Sequence, residues 1–355
     1  MNLTGKASIS SSLMALNFAK RRGVSPGRIA LMTIVLAALL TPSATVRAAD
    51  DVKLALNWLV SGKNAAYFVA REKGYYGEVG LNVTISRGNG SGDTIKRVAV
   101  GESDFGLADT ASIISAQAND DSPVKLVGLM FSKSSVAILY VKEAGINEPK
   151  DIMGKRLARS AAGASVNMFP AFLGANKIDR AKIAEVVVSP SSFLPLLLSK
   201  QADVVLDQSS YLGRYRKGAE GNGLTINAFR FSDYGLDLYG DGIIVQNSLI
   251  QKNPDLIRRF MAATLKGSAY AFEHPDEAIT ILRKTNSEID PQVGKAELLD
   301  TKELAMTSEV AQHGLGHIDA AHMERTQAIV TSSLNLKKKL PLGEIYTLEF
   351  LPPRK

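Results

Sequence analysis

The sequence predicts an α/β protein of two lobes with a cleft between them. Strands and helices alternate from Asp51 to Phe131, the alternation restarts at Ser134, and from Asn253 the chain turns helical. At 355 residues and 45% hydrophobic content, the chain has apolar material for one large domain or two lobes.

The elements follow in order. "VKLALNW" reads as a strand and "NAAYFVAREKG" as a helix closed by Gly74. "LNVTIS" is extended, and "DTIKRVAVG" places Ile95, Val98 and Ala99 on one helical face before Gly101 stops it. "SDFGLAD", "ASIISAQAND" and "VKLVGLMF" complete a strand, helix and strand, so the spacing predicts a mainly parallel sheet. The second series is "SSVAILYVK", a loop leading into "KRLARS", the helix "SVNMFPAFLGANK", the strand "AEVVVS", the helix "SFLPLLLSKQ" and the strand "ADVVLD". "GDGIIVQ" is a further strand. "NPDLIRRFMAATLKGSAYAFE" then starts a helix with Asn253 as N-cap and Pro254 at its first position, and "PDEAITILRK" has acids in its first turn and bases in its last.

The formal charge of +7 is concentrated at one end. Six of the 42 Lys and Arg and none of the 35 acids lie in residues 1–48, so the remainder holds 36 basic against 35 acidic residues. A near-neutral body has no whole-molecule field for nucleic acid or anionic lipid. The basic stretch "KRRGVSPGR", the apolar run Ile29 to Leu40, Pro42 and the small residues of "TVRAAD" are the parts of a secretory signal, with cleavage expected after Ala48 or Ala49. At about 1.5 Å per residue the run spans roughly 18 Å, short of the ~30 Å hydrocarbon core, so no stable membrane anchor is expected. Met14 and Met32 are alternative starts, and the Arg21–Arg22 pair hints at twin-arginine export, although the following "GVSP" favours the general route. The chain has no cysteine, which excludes disulfides, thiolate nucleophiles, cysteine metal sites and a lipid-attachment cysteine. A soluble periplasmic protein is expected.

The turn "RGNGSGD" tests a nucleotide reading. Counted from Gly88 and Gly90, the third position of a dinucleotide fingerprint is Asp93 rather than glycine, and no Walker loop occurs. An acid at a helix start also repels phosphate where free N–H groups would attract it. Gly88, Gly90 and Gly92 then supply backbone freedom, Ser91 or Asp93 caps the helix, and the same turn can face a cleft, since strand ends and helix starts line the crevice of such sheets.

Across the chain, "LNW", "AYFVAREKGYYGEVGLNVTI", "GSGDTIKRVAVGESDFGLADT", "INEPKDIMGKRL", "LLLSKQADVVLD" and "NPDLIRRFMAATLKGSAYAFEHPDEA" occur in this order. They resemble the NMT1/THI5-like family of periplasmic substrate-binding proteins. The resemblance implies a type II periplasmic binding fold: two α/β lobes joined by two crossovers and closing on a solute. It places the signal at residues 1–48, one lobe at 49–137 with 245–355, and the other at 138–244. It implies a monomer without a cofactor that passes a small solute to an ABC permease and its ATPase. Thiamine-pyrimidine precursors and related heteroaromatics are the family's solutes, while nitrate, sulfonate and taurine binders are similar.

The resemblance also implies the site. From the first lobe it picks Asn57, Trp58, Tyr67, Ser91, Gly92, Asp93, Asp109 and Thr110, and from the second Ser165, Asp207, Tyr239 and Asp241. Trp58, the single tryptophan, either fills a lobe or stacks on a flat ring with Tyr67 or Tyr239 opposite. Asp93, Asp109, Asp207 and Asp241 are each natural cap or turn residues, yet together they suggest a carboxylate cleft that penalises anions and accepts N–H groups. His313, His317 and His322 superficially suggest a metal, but Gly314 and Gly316 lie between the first two and no metal site is expected. "LKKKL" reads as a solvated face or a permease-docking surface. Two other classes are rivals. A pyridoxal-phosphate-dependent pyrimidine synthase of the same fold family carries a cysteine-rich motif absent here, and a sensing domain would need a retained membrane segment or a fused signalling domain.

Overall fold

The computed structural model describes residues 48–161 and 163–353. Residues 1–47 of the proposed signal lie outside the described residues. The strands are β1 (Asp50–Ala55), β2 (Leu81–Ser86), β3 (Phe105–Asp109), β4 (Val124–Leu129), β5 (Val136–Val141), β6 (Arg156–Arg159), β7 (Ala184–Val187), β8 (Val204–Gln208), β9 (Ile226–Arg230) and β10 (Asp241–Gln246). The helices are α1 (Ala65–Glu72), α2 (Tyr75–Glu78), α3 (Ser91–Ala99), α4 (Thr110–Asp120), α5 (Ala164–Ala175), α6 (Phe193–Leu198), α7 (Leu212–Ala219), α8 (Asn247–Lys252), α9 (Pro254–Glu273), α10 (Pro275–Arg283), α11 (Pro291–Ala305), α12 (Ser308–His313), α13 (Ala320–Leu334) and α14 (Leu342–Ile345).

Two five-stranded sheets result, in the orders β2-β1-β3-β10-β4 and β7-β6-β8-β5-β9. The two orders are equivalent: three parallel strands, then one reversed strand, then an edge strand. The chain leaves the first sheet after Leu129, enters the second at Val136, leaves it after Arg230 and rejoins the first at Asp241. β5 and β10 are the arriving strands, and each runs antiparallel to both of its neighbours. The expected mainly parallel sheet is thus qualified in both lobes, because a strand that enters from the other lobe inserts in the reverse sense. All residues of β3 and β5 are buried, as befits central strands covered on both faces.

Packing explains the helical tail. α9 begins as the sequence predicts, with Asn253 accepting from the Leu256 N–H and Pro254 at the first position. Its Phe260 stacks on Phe105 of β3 at 3.7 Å between ring centroids, and on Tyr76 at 5.5 Å. Gly267 lets α9 close on α1, since a Cβ there would lie 2.6 Å from the Ala66 carbonyl oxygen. α11 packs on the turn Gly62–Asn64 and on α7 of the second sheet, so the tail touches both lobes. Strand β9 and helices α11 and α13 carry no clear periodic signal, because their buried positions are interrupted by polar residues; the two helices are marked only at their starts, by the caps Asp290 with Pro291 and Asp319. Among the described residues no helix is long and apolar enough to cross a membrane.

Candidate functional site

A cavity of about 370 Å³ opens where the parallel strands of both sheets end. From the first sheet it is lined by Asn57 and Trp58 after β1, by Asn89 to Asp93 after β2, and by Ser112. The second sheet contributes Ser165 at the start of α5, Phe193 after β7, Asp207 and Gln208 at the end of β8, and Tyr211. A neighbouring cavity of about 490 Å³ shares Trp58, Asn89, Asp207 and Tyr211 with it and adds Arg214 and Tyr215. The half-buried Trp58 indole packs against the core cluster of the second sheet, although its backbone belongs to the first.

The glycine turn is built by two of its three glycines. A Cβ on Gly88 would lie 1.9 Å from the Leu56 carbonyl oxygen, and Gly90 sits at φ 122°, where side chains are strained. Gly92 is an ordinary helical residue with open space around it. The capping expected of Ser91 or Asp93 is corrected: Gly90 is the N-cap, and neither side chain caps α3. The Ser91 hydroxyl instead accepts from the Asp109 N–H at 3.1 Å and ties the turn to the end of β3. Asp93 stands in the first turn, where a carboxylate is favourable.

Seven of the twelve residues singled out in the sequence meet at the main cavity: Asn57, Trp58, Ser91, Gly92, Asp93, Ser165 and Asp207. Asp109 borders a smaller adjoining cavity of about 180 Å³ and caps α4 by accepting from the Ser112 N–H at 3.0 Å. The remaining four do not reach these cavities. Tyr67 is buried in α1, and the Thr110 hydroxyl donates to the Gly240 carbonyl oxygen at 2.6 Å. Tyr239 turns to the other side of its crossover, where its ring lies 3.9 Å from that of His322 and its hydroxyl donates to Glu309 at 2.6 Å. Asp241 is buried, opposite Asp109 in the β3–β10 register.

The electrostatics differ from a bare row of four acids. Lys63, which no motif in the sequence marks as a site residue, is 2% exposed and places its ammonium 3.0 Å from Asp241. Burial alone would lower the Lys63 pKa, but Asp241, with Tyr211 and Asp109 adding to it, holds the ammonium above its ordinary value. Burial pushes Asp109 up, and neighbouring Asp241 adds to this against the lowering hydrogen bonds from Ser112. Burial likewise raises Asp207 to about 6, opposed by the Tyr215 hydroxyl that donates to it. Arg214, which lines the neighbouring cavity, is held by Glu297 at 2.9 Å. Both cations are therefore committed to carboxylates. The buried Asn57 Oδ1, Asp93 Oδ2 and Tyr211 hydroxyl around the cavity have no protein partner.

His313 and His317 stack on each other at 4.2 Å between ring centroids, whereas His322 packs with Tyr239. Among the described residues no group of three or more His, Asp or Glu is placed to hold a metal ion.

Residues 62–278 match the family model described as NMT1/THI5 like. Riboflavin-binding protein RibY of Chloroflexus aurantiacus is 25% identical over 309 residues, 85% of this chain and 86% of that protein. A formylaminopyrimidine-binding protein of Halalkalibacterium halodurans is 23% identical, covering 73% and 79% of the two chains. At the same 23% identity, a 4-amino-5-hydroxymethyl-2-methylpyrimidine phosphate synthase of Legionella pneumophila covers 65% and 72%. Among solved structures, the periplasmic aliphatic sulphonate binding protein SsuA of Escherichia coli superposes with a TM-score of 0.62 at 15% identity, over 80% of this chain and 91% of that one. The fold is thus the two-lobe periplasmic-binding architecture, and the chain belongs to the NMT1/THI5-like family.

Proposed function

We propose that this protein is the solute-binding component of an ABC importer, and that it captures a small, flat, heteroaromatic solute in the periplasm without altering it. The observation that carries this reading is the cavity itself. It is lined from both sheets, it has the sole tryptophan in its wall, and the nearby cations are already paired with carboxylates. A solute contacting both lobes biases them toward closure, because it interacts more strongly with the closed than the open state. An anion would find no uncommitted cation among Lys63 and Arg214, which disfavours nitrate, sulfonate and taurine. Relatives named for riboflavin and formylaminopyrimidine binding support a ring-shaped ligand.

In this reading residues 1–48 direct export and are removed. The lobes expected at 49–137 with 245–355 and at 138–244 shift slightly, because those boundaries would cut β5 and β10: the crossovers run through 130–135 and 231–240, which puts Asp241 in the first lobe. The closed monomer delivers its solute to a membrane permease driven by a separate ATPase. The solute contacts are Asn57, Trp58, Ser91, Gly92, Asp93, Ser165 and Asp207. Tyr67, Asp109, Thr110 and Asp241 act from behind them, whereas Tyr239 faces Glu309 and His322 and leaves the site.

A thermal-shift panel of formylaminopyrimidine, riboflavin, an alkanesulfonate, taurine and nitrate tests the proposal. A heterocycle at 100 times its dissociation constant adds ~2.7 kcal/mol and raises the melting temperature visibly. A response to the anions alone would refute the reading. The synthase relative favours a second one, pyrimidine synthesis from pyridoxal phosphate. Incubation with pyridoxal phosphate separates the two: a lysine adduct with its own absorbance and a released pyrimidine support the synthase.

A further inference from the structure

Of the four amides that border the main cavity, Asn57 beyond β1 and Gln208 at the end of β8 are tied to one buried ion pair. Each has one polar end committed away from the cavity. The Asp241 carboxylate offers acceptors only, so the end of Asn57 that meets it at 2.9 Å is the NH2, Nδ2. The Lys63 ammonium offers donors only, so the end of Gln208 that meets it at 3.3 Å is the carbonyl, Oε1. The Ser135 hydroxyl, at 3.2 Å, donates to the same Oε1. Lys63 and Asp241 hold each other at 3.0 Å with side chains 1% and 4% exposed, so neither can turn to water instead.

We propose that the Lys63–Asp241 pair is a positioning element that fixes the hydrogen-bond polarity of the cavity, and that it selects a neutral planar solute whose edge carries an N–H donor and a ring-nitrogen or carbonyl acceptor. Inverting either amide would press like-signed ends together next to a buried charge. The pair therefore turns the Asn57 carbonyl oxygen away from Asp241, and that Oδ1 is buried with no protein partner, so a solute that reaches it must bring a donor. The pair leaves Gln208 only its NH2. An oxyanion brings acceptors alone and satisfies one side at most. An amino-azine or lactam edge satisfies both. The inference rests on the cavity being the solute site, and it identifies two residues that act through others rather than by touching the solute.

The test uses 4-amino-2-methylpyrimidine and its isostere 2,4-dimethylpyrimidine, titrated by calorimetry into the wild-type protein and a K63M/D241L double variant. Replacing both members of a buried pair with apolar residues is commonly tolerated, whereas removing one strands a charge, so the double variant is the informative one. The wild type is expected to prefer the amino compound at least tenfold, and the double variant, with an unchanged melting temperature, to lose that preference to within about threefold. A folded double variant that keeps the tenfold preference overturns the proposal, as does a wild type that binds both probes alike. Side-chain amide NMR provides the ligand-free measurement. The Asn57 NH2 is expected to exchange slowly with solvent in the wild type, and exchange at the rate of an exposed amide overturns the proposal. If neither pyrimidine binds, the heterocycle reading fails while the NMR result still decides the amide orientation. It decides likewise if the double variant does not fold.

Discussion

The Tyr215 hydroxyl of α7 donates to Asp207 Oδ2 at 2.5 Å, joining the end of β8 to the helix that follows it. Burial nevertheless raises the Asp207 carboxyl to about 6 from an ordinary 3.8. The folded protein thus holds this proton to higher pH than the unfolded chain does. The stability it contributes is complete below about pH 4 and is lost as pH rises through about 6. The melting-temperature difference between wild type and D207N should fall over that window, and a flat difference from pH 4 to 7 would contradict the assignment. Y215F removes a bond that lowers the Asp207 pKa, so it should move the window upward.

Trp58 reports on the cleft directly. Its indole is the only one in the chain and lines the cavity, so solute binding should alter the intrinsic fluorescence. Stacking contributes roughly 0.5–1.5 kcal/mol beyond burial, so W58A should weaken binding by about two- to tenfold or more. Unchanged affinity in a titration of W58A would remove the indole from the site.

The glycines of the turn should separate in stability. G88A drives a Cβ into the Leu56 carbonyl, and G90A forces a side chain to φ 122°, so each should cost about 1–3 kcal/mol or more. G92A meets nothing within 4 Å and should be neutral, or stabilising by less than about 1 kcal/mol. Urea titrations of the three variants check the order.

Glu297 ties the tail to both lobes. Its carboxylate is 1% exposed, accepts from the Gly62 N–H at 2.9 Å and pairs with Arg214 of α7 at 2.9 Å. R214A should destabilise by about 1–3 kcal/mol, less than a fully buried pair because the Arg214 side chain is 46% exposed. It should also weaken solute binding, since one of the contacts holding the lobes together is lost. A denaturant midpoint and affinity both equal to wild type would count against the tie.

Local chemistry written in contiguous residues is legible from the sequence by itself. The strand–helix alternation implies two sheets, Asn253 with Pro254 marks the start of α9, and Asp93 in the glycine turn speaks against phosphate. Strand ends and helix starts carry the same information, which is why Asn57, Trp58, Asp93 and Asp207 reach one cavity. Which side chain answers which is decided only by tertiary structure. Asn57 and Lys63 meet Asp241 across 184 and 178 residues of sequence, through the register of a strand that returns from the other lobe. Tyr239, two residues before that strand, turns instead to His322. Periodicity fixes which face of an element is apolar, but the pairing of buried charges depends on how distant elements are brought together.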